Sequence, residues 1–303
     1  MDVAFGMSST GVVDIADRAR RLEQLGFDYV GVGEHVAFRV PTMNPFVALA
    51  AAGAVTERIR LLTSVNLTPI YPPALLAKMA AALDVVSDGR LVLGVGIGGE
   101  IPADLESCGV PLAERGARAT EALSIVRRLW TEDDVTVEGR FTRFSDVTLD
   151  LKPVSQPHPP IWVSGRTEAA MRRAAHLGDG WMPYMYTPEM LASSIGKIQA
   201  WAEEAGRPAD AVRPTIFVFV SCHPDRRVAL ERVMARLGAK YAQDFTAMAD
   251  RYLVVGTAAE CQARLREYVE AGATAIIIGQ ACDDSVAGEH DRRLAEEVLP
   301  AFR

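Results

Sequence analysis

The chain has 303 residues, 49% of them apolar, enough for one large α/β domain or two smaller ones around a sizeable core. Its net charge of −7 leaves no basic surface for a nucleic acid. Four cysteines (Cys108, Cys222, Cys261, Cys282) are scattered without a C-x-x-C pair, and the longest apolar run, Phe46 to Val55, is far too short to span a bilayer. The expectation is a soluble protein of the reducing cytoplasm, with no signal peptide in its first residues.

Val3-Ala-Phe-Gly-Met7 reads as a short buried strand, and Val12 to Leu25 has helical periodicity ending at Gly26, a C-cap. Asp28-Tyr-Val-Gly-Val-Gly33 is the second strand, with Glu34 and His35 at its end. Asn44-Pro45 starts a helix through Phe46 to Thr56. The stretch from Arg58 to Gly99 then reads strand, helix, strand: Leu61 to Thr68, the apolar helix Ala74 to Val86, and Leu91 to Gly99, which closes in glycines. A long helix follows from about Leu112 to Trp130.

The stretch from about 131 to 156 breaks the rhythm and reads as an inserted hairpin, Val135–Phe141 with Val147–Leu151. The alternation resumes with Ile161–Ser164, a helix from Thr167 to Leu177, Trp181–Tyr184, and a helix from Pro188 to Ala205. Thr215–Val220 is a seventh strand, and about 224–255 reads as a second, helical insertion beginning with a helix from Asp225 to Leu237. Ala258 to Ala271 is helical, Ala275–Gly279 is the eighth strand, and Asp291 to Phe302 is a closing helix.

Eight continuous apolar strands alternating with helices are what a sheet buried on both faces requires. The count predicts one α/β domain, a (β/α)8 TIM barrel carrying two insertions; an open doubly wound sheet is the alternative. In a barrel the active site gathers at the C-terminal strand ends. Glu34-His35, Ser64-Val65-Asn66, Gly98-Gly99-Glu100 and Ser164-Gly165-Arg166-Thr167 all fall there.

Gly94, Gly96 and Gly99 satisfy G-x-G-x-x-G, but Pro102 stands where the helix of a dinucleotide fold should open, and the unit is the fourth in the chain. Two other readings remain: tight packing of strand four, or a flat group lying against bare backbone. Ser164 to Thr167 runs from a strand end into a helix and suits a phosphate, by its backbone N–H groups, the Thr167 hydroxyl and the Arg166 guanidinium; a plain N-cap with a solvated Arg is the alternative. His35 beside Glu34 could move a proton near neutral pH, or be a core histidine bonded to a carbonyl. No second His or Cys lies at ligand spacing, so no metal site is expected.

Several stretches carry a family resemblance. They are Gly26–Val30 through Glu34-His35, Arg58–Arg60 through Pro72–Ala80, Ser87–Gly98, Glu114-Arg115 through Trp130, Pro160–Gly165 and Gly178–Pro183. Together they resemble the bacterial luciferase-like flavin oxidoreductases, in the branch that uses the deazaflavin coenzyme F420. The resemblance implies a TIM barrel and an oxidoreductase that passes hydride between the deazaflavin ring and a small organic substrate.

It also implies roles for single residues. Ser64-Val65 matches the family's non-prolyl cis peptide, which backs the ring, and Asn66 would lie beside it. Ile97, Gly98 and Gly99 would flank the ring and its ribityl chain. Ser164, Gly165, Arg166 and Thr167 match the phosphate site. His35 would carry the proton, with Glu34 its acidic partner and Glu100 a second acid. Members often carry Asp where this chain has Glu34.

Two rivals stand beside this reading: an FMN-dependent monooxygenase using reduced flavin and oxygen, and a non-catalytic flavin carrier. The helices near 46–55 and 74–86 are apolar nearly all round, and the resemblance agrees that they bury their second face in a homodimer; burial under the chain's own insertions is the alternative.

Overall fold

The computed structural model describes residues 3–9, 14–241 and 248–303. Eight parallel strands close on themselves. They are β1 (Ala4–Ser9), β2 (Tyr29–Val32), β3 (Arg60–Thr63), β4 (Leu91–Gly96), β5 (Ile161–Ser164), β6 (Gly180–Met182), β7 (Arg213–Cys222) and β8 (Ala275–Gln280). Each pairs with its neighbours in order, and β8 pairs with both β7 and β1: Thr215 lies opposite Ala275, and Ala275 opposite Ala4. Closure leaves the eight strands without a free edge and rules out the open doubly wound sheet.

The strands are buried on both sides, as their unbroken apolar runs require. Tyr29, Leu62, Val92, Trp162, Met182, Ala275 and Ile277 fill the lumen, with the Tyr29 and Trp162 rings 5.2 Å apart. The barrel is therefore a packed plug, and a ligand has room only at its mouth. Alternate residues such as Phe5, Met7, Leu61, Leu93 and Ile278 point outward and join the larger core beneath the helices.

The helices are α1 (Ile15–Gln24), α2 (Pro45–Gly53), α3 (Pro73–Val86), α4 (Arg115–Thr131), α5 (Glu168–Leu177), α6 (Pro188–Glu204), α7 (Arg226–Tyr241), α8 (Ala258–Glu270) and α9 (Ala287–Arg293). Their starts follow local chemistry. Asn44 caps α2 by accepting from the Phe46 and Val47 N–H groups, with Pro45 at the first helical position. Thr167 caps α5 and Thr257 forms a capping box with Glu260 on α8. Gly26 follows α1 at φ 82°, the expected left-handed stop. The expected start of α1 at Val12 lies outside the described residues.

The first break in the rhythm contains an antiparallel hairpin, Val135–Glu138 with Arg143–Val147. The second contains α7, a short turn of helix at Ala249–Tyr252, and a strand, Val254–Gly256, that pairs with β7 outside the barrel. The closing helix differs from expectation. The α-helical part, α9, starts at Ala287, and the chain continues as a π-helical turn, Leu294–Val298, and a 3-10 turn, Leu299–Phe302. Leu294, Val298, Leu299 and Phe302 all enter the core, and Phe302 packs on Phe5 at 5.3 Å. Burial of these four side chains, with Pro300 lacking a donor, outweighs regular α-helical bonding in the last two turns.

Candidate active site

The tips of β2, β3, β4 and β5 bring the expected residues to one side of the barrel mouth. At the tip of β3 the Ser64–Val65 peptide is cis, as the resemblance implied. Beyond it Asn66–Leu67 pairs again with β4, opposite Val95 and Gly96. The Ser64 hydroxyl lies 2.5 Å from that of Ser8, and the Val65 carbonyl accepts the Glu34 N–H at 3.2 Å. Gly96 must be glycine, because a Cβ there would come within 2.5 Å of Val65 Cγ2. The bare strand lets the cis tip lie against β4.

Glu34 sits at the centre of a buried network, only 5% exposed. One oxygen accepts from Leu67 N–H at 2.7 Å and Asn66 Nδ2 at 3.0 Å; the other accepts from Asn44 Nδ2 at 3.1 Å and from the Tyr71 hydroxyl. Four donors use the carboxylate's capacity and face it away from the mouth. Burial pushes its pKa up, opposed by the bonds from Tyr71, Leu67 and Asn66. Asn66 is fully buried between Glu34 and the Thr68 hydroxyl, so it supports the tip from behind. Burial and the Glu34 charge also drive the Tyr71 phenol well above its ordinary value.

His35 is the more accessible member of the pair, its side chain 17% exposed. Its ring stacks on Phe38 at 3.9 Å, nearly parallel at 8°, and its Nδ1 lies 2.7 Å from Asp104 Oδ2. Asp104 belongs to a short helix, Pro102–Glu106, that follows the glycine tip of β4, and it is 2% exposed. Burial pulls its carboxyl up, but the bonds from His35, Ala37 and Val36 win and hold it below the ordinary carboxylate value. Glu100, at the same tip, is open to solvent on one side. Partial burial raises its pKa, while Arg166 and His35 pull it back.

Ile97, Gly98 and Gly99 lead from β4 toward Glu100, and the Arg115 guanidinium lies beside Gly99. Arg115 donates to the Leu112 carbonyl at 2.6 Å, but its buried Nε has no partner. At the neighbouring tip of β5, Gly165 adopts φ 128°, which an L side chain rarely does, and a Cβ would also strike Ala170 at 2.8 Å. Gly165 thereby turns β5 into the N-terminus of α5. Thr167 caps that helix, and Arg166 is exposed with its guanidinium over the Tyr184 ring at 5.0 Å.

These features fit an anionic, flat-ringed cofactor: an unpartnered Arg115 Nε, an exposed guanidinium at a helix N-terminus, and two tips stripped of side chains. A groove of about 580 Å³ runs elsewhere, between α4, the hairpin and α5. Several of its charged groups are committed: Arg128 to Glu132, Arg172 to the Trp201 ring, and Glu121 to the hairpin's N–H groups. It is a seam in the outer wall.

The expectation missed Asp104, Tyr71, Asn44, Phe38 and Arg115. Only Asp104 had a local signal: Pro102 after Ile101 opens a helix and puts an acidic residue in its first turn.

The chain belongs to the luciferase-like monooxygenase family, whose model matches residues 4–275. It is 31% identical over 311 residues to an F420-dependent glucose-6-phosphate dehydrogenase of Microbacterium testaceum, covering 97% of this chain and 86% of that one. Among solved structures it resembles the monooxygenase RslO1 from Streptomyces bottropensis, at TM-score 0.86 and 27% identity, covering 99% of this chain and 100% of that one. An F420-dependent secondary alcohol dehydrogenase, in complex with an F420-acetone adduct, shares the fold at TM-score 0.87 and 22% identity over 100% of both chains.

Proposed function

We propose that this protein is an F420-dependent oxidoreductase that moves hydride between the deazaflavin and a small organic substrate. The observation that carries the proposal is the meeting of the cis Ser64–Val65 tip with the bare glycine tip of β4 beside an imidazole held by Asp104. The relative from Microbacterium testaceum, matched over nearly the whole chain, is named for the same cofactor.

When bound, the deazaflavin supplies the ring carbon that accepts or gives hydride. The chain's own residues do the rest. Ser64, Val65 and Asn66 back the slot and Ile97 to Gly99 flank it, while Ser164 to Thr167 hold the phosphate through N–H groups, the Thr167 hydroxyl and Arg166. His35 takes the substrate's proton as hydride leaves, or returns it in the reverse direction. Glu100 is a second acid, and the raised pKa of its carboxyl suits it to hold a proton. Glu34 acts through the network it ties together and keeps the turn before His35 in place.

Oxidised F420 loses its visible absorbance on accepting hydride. Incubation under nitrogen with a panel of secondary alcohols and sugar phosphates should bleach it in the wild type and not in His35→Ala. The likeness to the monooxygenase RslO1 favours a second reading. A protein that consumes oxygen with reduced FMN and leaves F420 untouched would belong to it.

The same proposal takes the chain as one barrel unit with two insertions, working in the cytoplasm as a homodimer. All four cysteines are free, as in a reducing compartment, and no helix of the described residues is long and apolar enough to cross a membrane. Val47 (64% exposed), Leu75 (48%) and Val86 (62%) leave an apolar face on α2 and α3, which a second copy would cover.

A further inference from the structure

We infer that Asp104 is a positioning residue: it fixes the His35 imidazole with the proton on Nδ1 and leaves Nε2 as the nitrogen that exchanges a proton with the substrate. The inference deepens the proposed reaction and rests on it only for the identity of the proton's other owner.

Asp104 reaches the tip of β2 from a different strand's loop, 69 residues on in the chain. Its two oxygens divide the work. Oδ1 accepts the Val36 and Ala37 N–H groups at 2.7 and 2.8 Å; Oδ2 faces His35 Nδ1 at 2.7 Å. The His35 carbonyl accepts the Thr42 hydroxyl at 3.0 Å, so the whole turn is fastened. An ionised carboxylate can only accept, so the nitrogen facing it must carry a hydrogen. A neutral imidazole has one N–H, so Nε2 is then the bare nitrogen.

Stacking on Phe38 fixes the plane of the ring, and the bond to Asp104 fixes which edge faces the carboxylate. Asp104 lies four residues beyond Glu100, so the same bond ties the segment that carries the second acid to His35. In the oxidative direction the substrate's C–H pair leaves as hydride, its O–H proton passes to Nε2, and the imidazolium keeps its Nδ1–H bond to Asp104. No proton needs to reach Asp104 itself.

The test is Asp104→Asn. The asparagine keeps an oxygen for the Val36 and Ala37 N–H groups, so the turn is preserved. Its amide places a donor where Oδ2 stood, which forces Nδ1 to accept and moves the proton to Nε2. Long-range proton–nitrogen correlation spectra of the protein without ligands, at a pH where the ring is neutral, read the tautomer directly, with His35→Gln assigning the signal among five histidines. The wild type should show His35 protonated on Nδ1 and the variant on Nε2. With F420 and a turned-over substrate, kcat should fall about 10²- to 10⁴-fold, the span of a lost acid–base group, with F420 affinity retained. Asp104→Glu should restore the wild-type tautomer and part of kcat.

A wild-type His35 protonated on Nε2, or a tautomer unmoved by Asp104→Asn, overturns the inference. Failure of the protein to bind F420 would overturn the proposed reaction and leave the tautomer result standing.

Discussion

Replacing Glu34 separates an organising role from a chemical one. In Glu34→Ala the fully buried Leu67 N–H and Asn66 amide lose their acceptor. Each buried donor left bare costs about 1–3 kcal/mol, so the loss should total about 2–6 kcal/mol. Glu34→Gln should be milder. Its amide oxygen can serve Leu67 and Asn66, and its NH2 can donate to the Tyr71 hydroxyl oxygen. Asn44 still donates to Tyr71 at 2.8 Å, so the cost should be about 1–2 kcal/mol.

The pH dependence has a definite sign. Burial holds the folded Glu34 carboxyl above its ordinary 4.5, so the folded state binds the proton more tightly than the unfolded chain. Wild-type stability from this group therefore falls as pH rises from 4.5 through the raised value. Gln cannot ionise, so the gap between wild type and Glu34→Gln should be wider near pH 4.5 than near pH 8. Urea melts followed by tryptophan fluorescence at the two pH values measure both quantities. A Glu34→Gln protein as stable as wild type at each pH, yet inactive with F420 still bound, would refute the organising role.

Two further outcomes test other parts of the account. Arg166→Met should weaken F420 binding about tenfold at low salt and less at high salt, and leave the affinity for a deazaflavin lacking the phosphate unchanged; equal losses for both ligands would remove Arg166 from the anchor. Light scattering should give twice the 32.8 kDa chain mass for the wild type and the single mass for the double variant Val47→Glu, Val86→Glu; a wild-type monomer at micromolar concentration would reject the dimer.

The fold was legible because its signals are local. Apolar runs marked the strands, and Asn44, Gly26 and Thr167 punctuated the helices within one turn of their ends. The closing helix was half legible, since its α start obeys local propensity while its tail is bent by Phe302 packing on Phe5, a contact between the chain's two ends. The site divides in the same way. Glu34 and His35 were legible as an acid beside an imidazole, but their opposite directions were not. Tyr71 and Asn44 turn Glu34 inward, and Asp104 and Phe38 hold His35 at the mouth. The cis Ser64–Val65 bond has no local signature, since neither residue is proline, and only the family resemblance pointed to it.

In the proposed reaction the tips of β3, β4 and β5 hold a deazaflavin. Equilibrium titration of the wild-type protein with oxidised F420 and, in parallel, with FMN tests it most directly, read by cofactor fluorescence. F420 should bind saturably at one per chain, tighter than FMN and weakened by Arg166→Met. Saturable FMN binding with no response to F420 would contradict it.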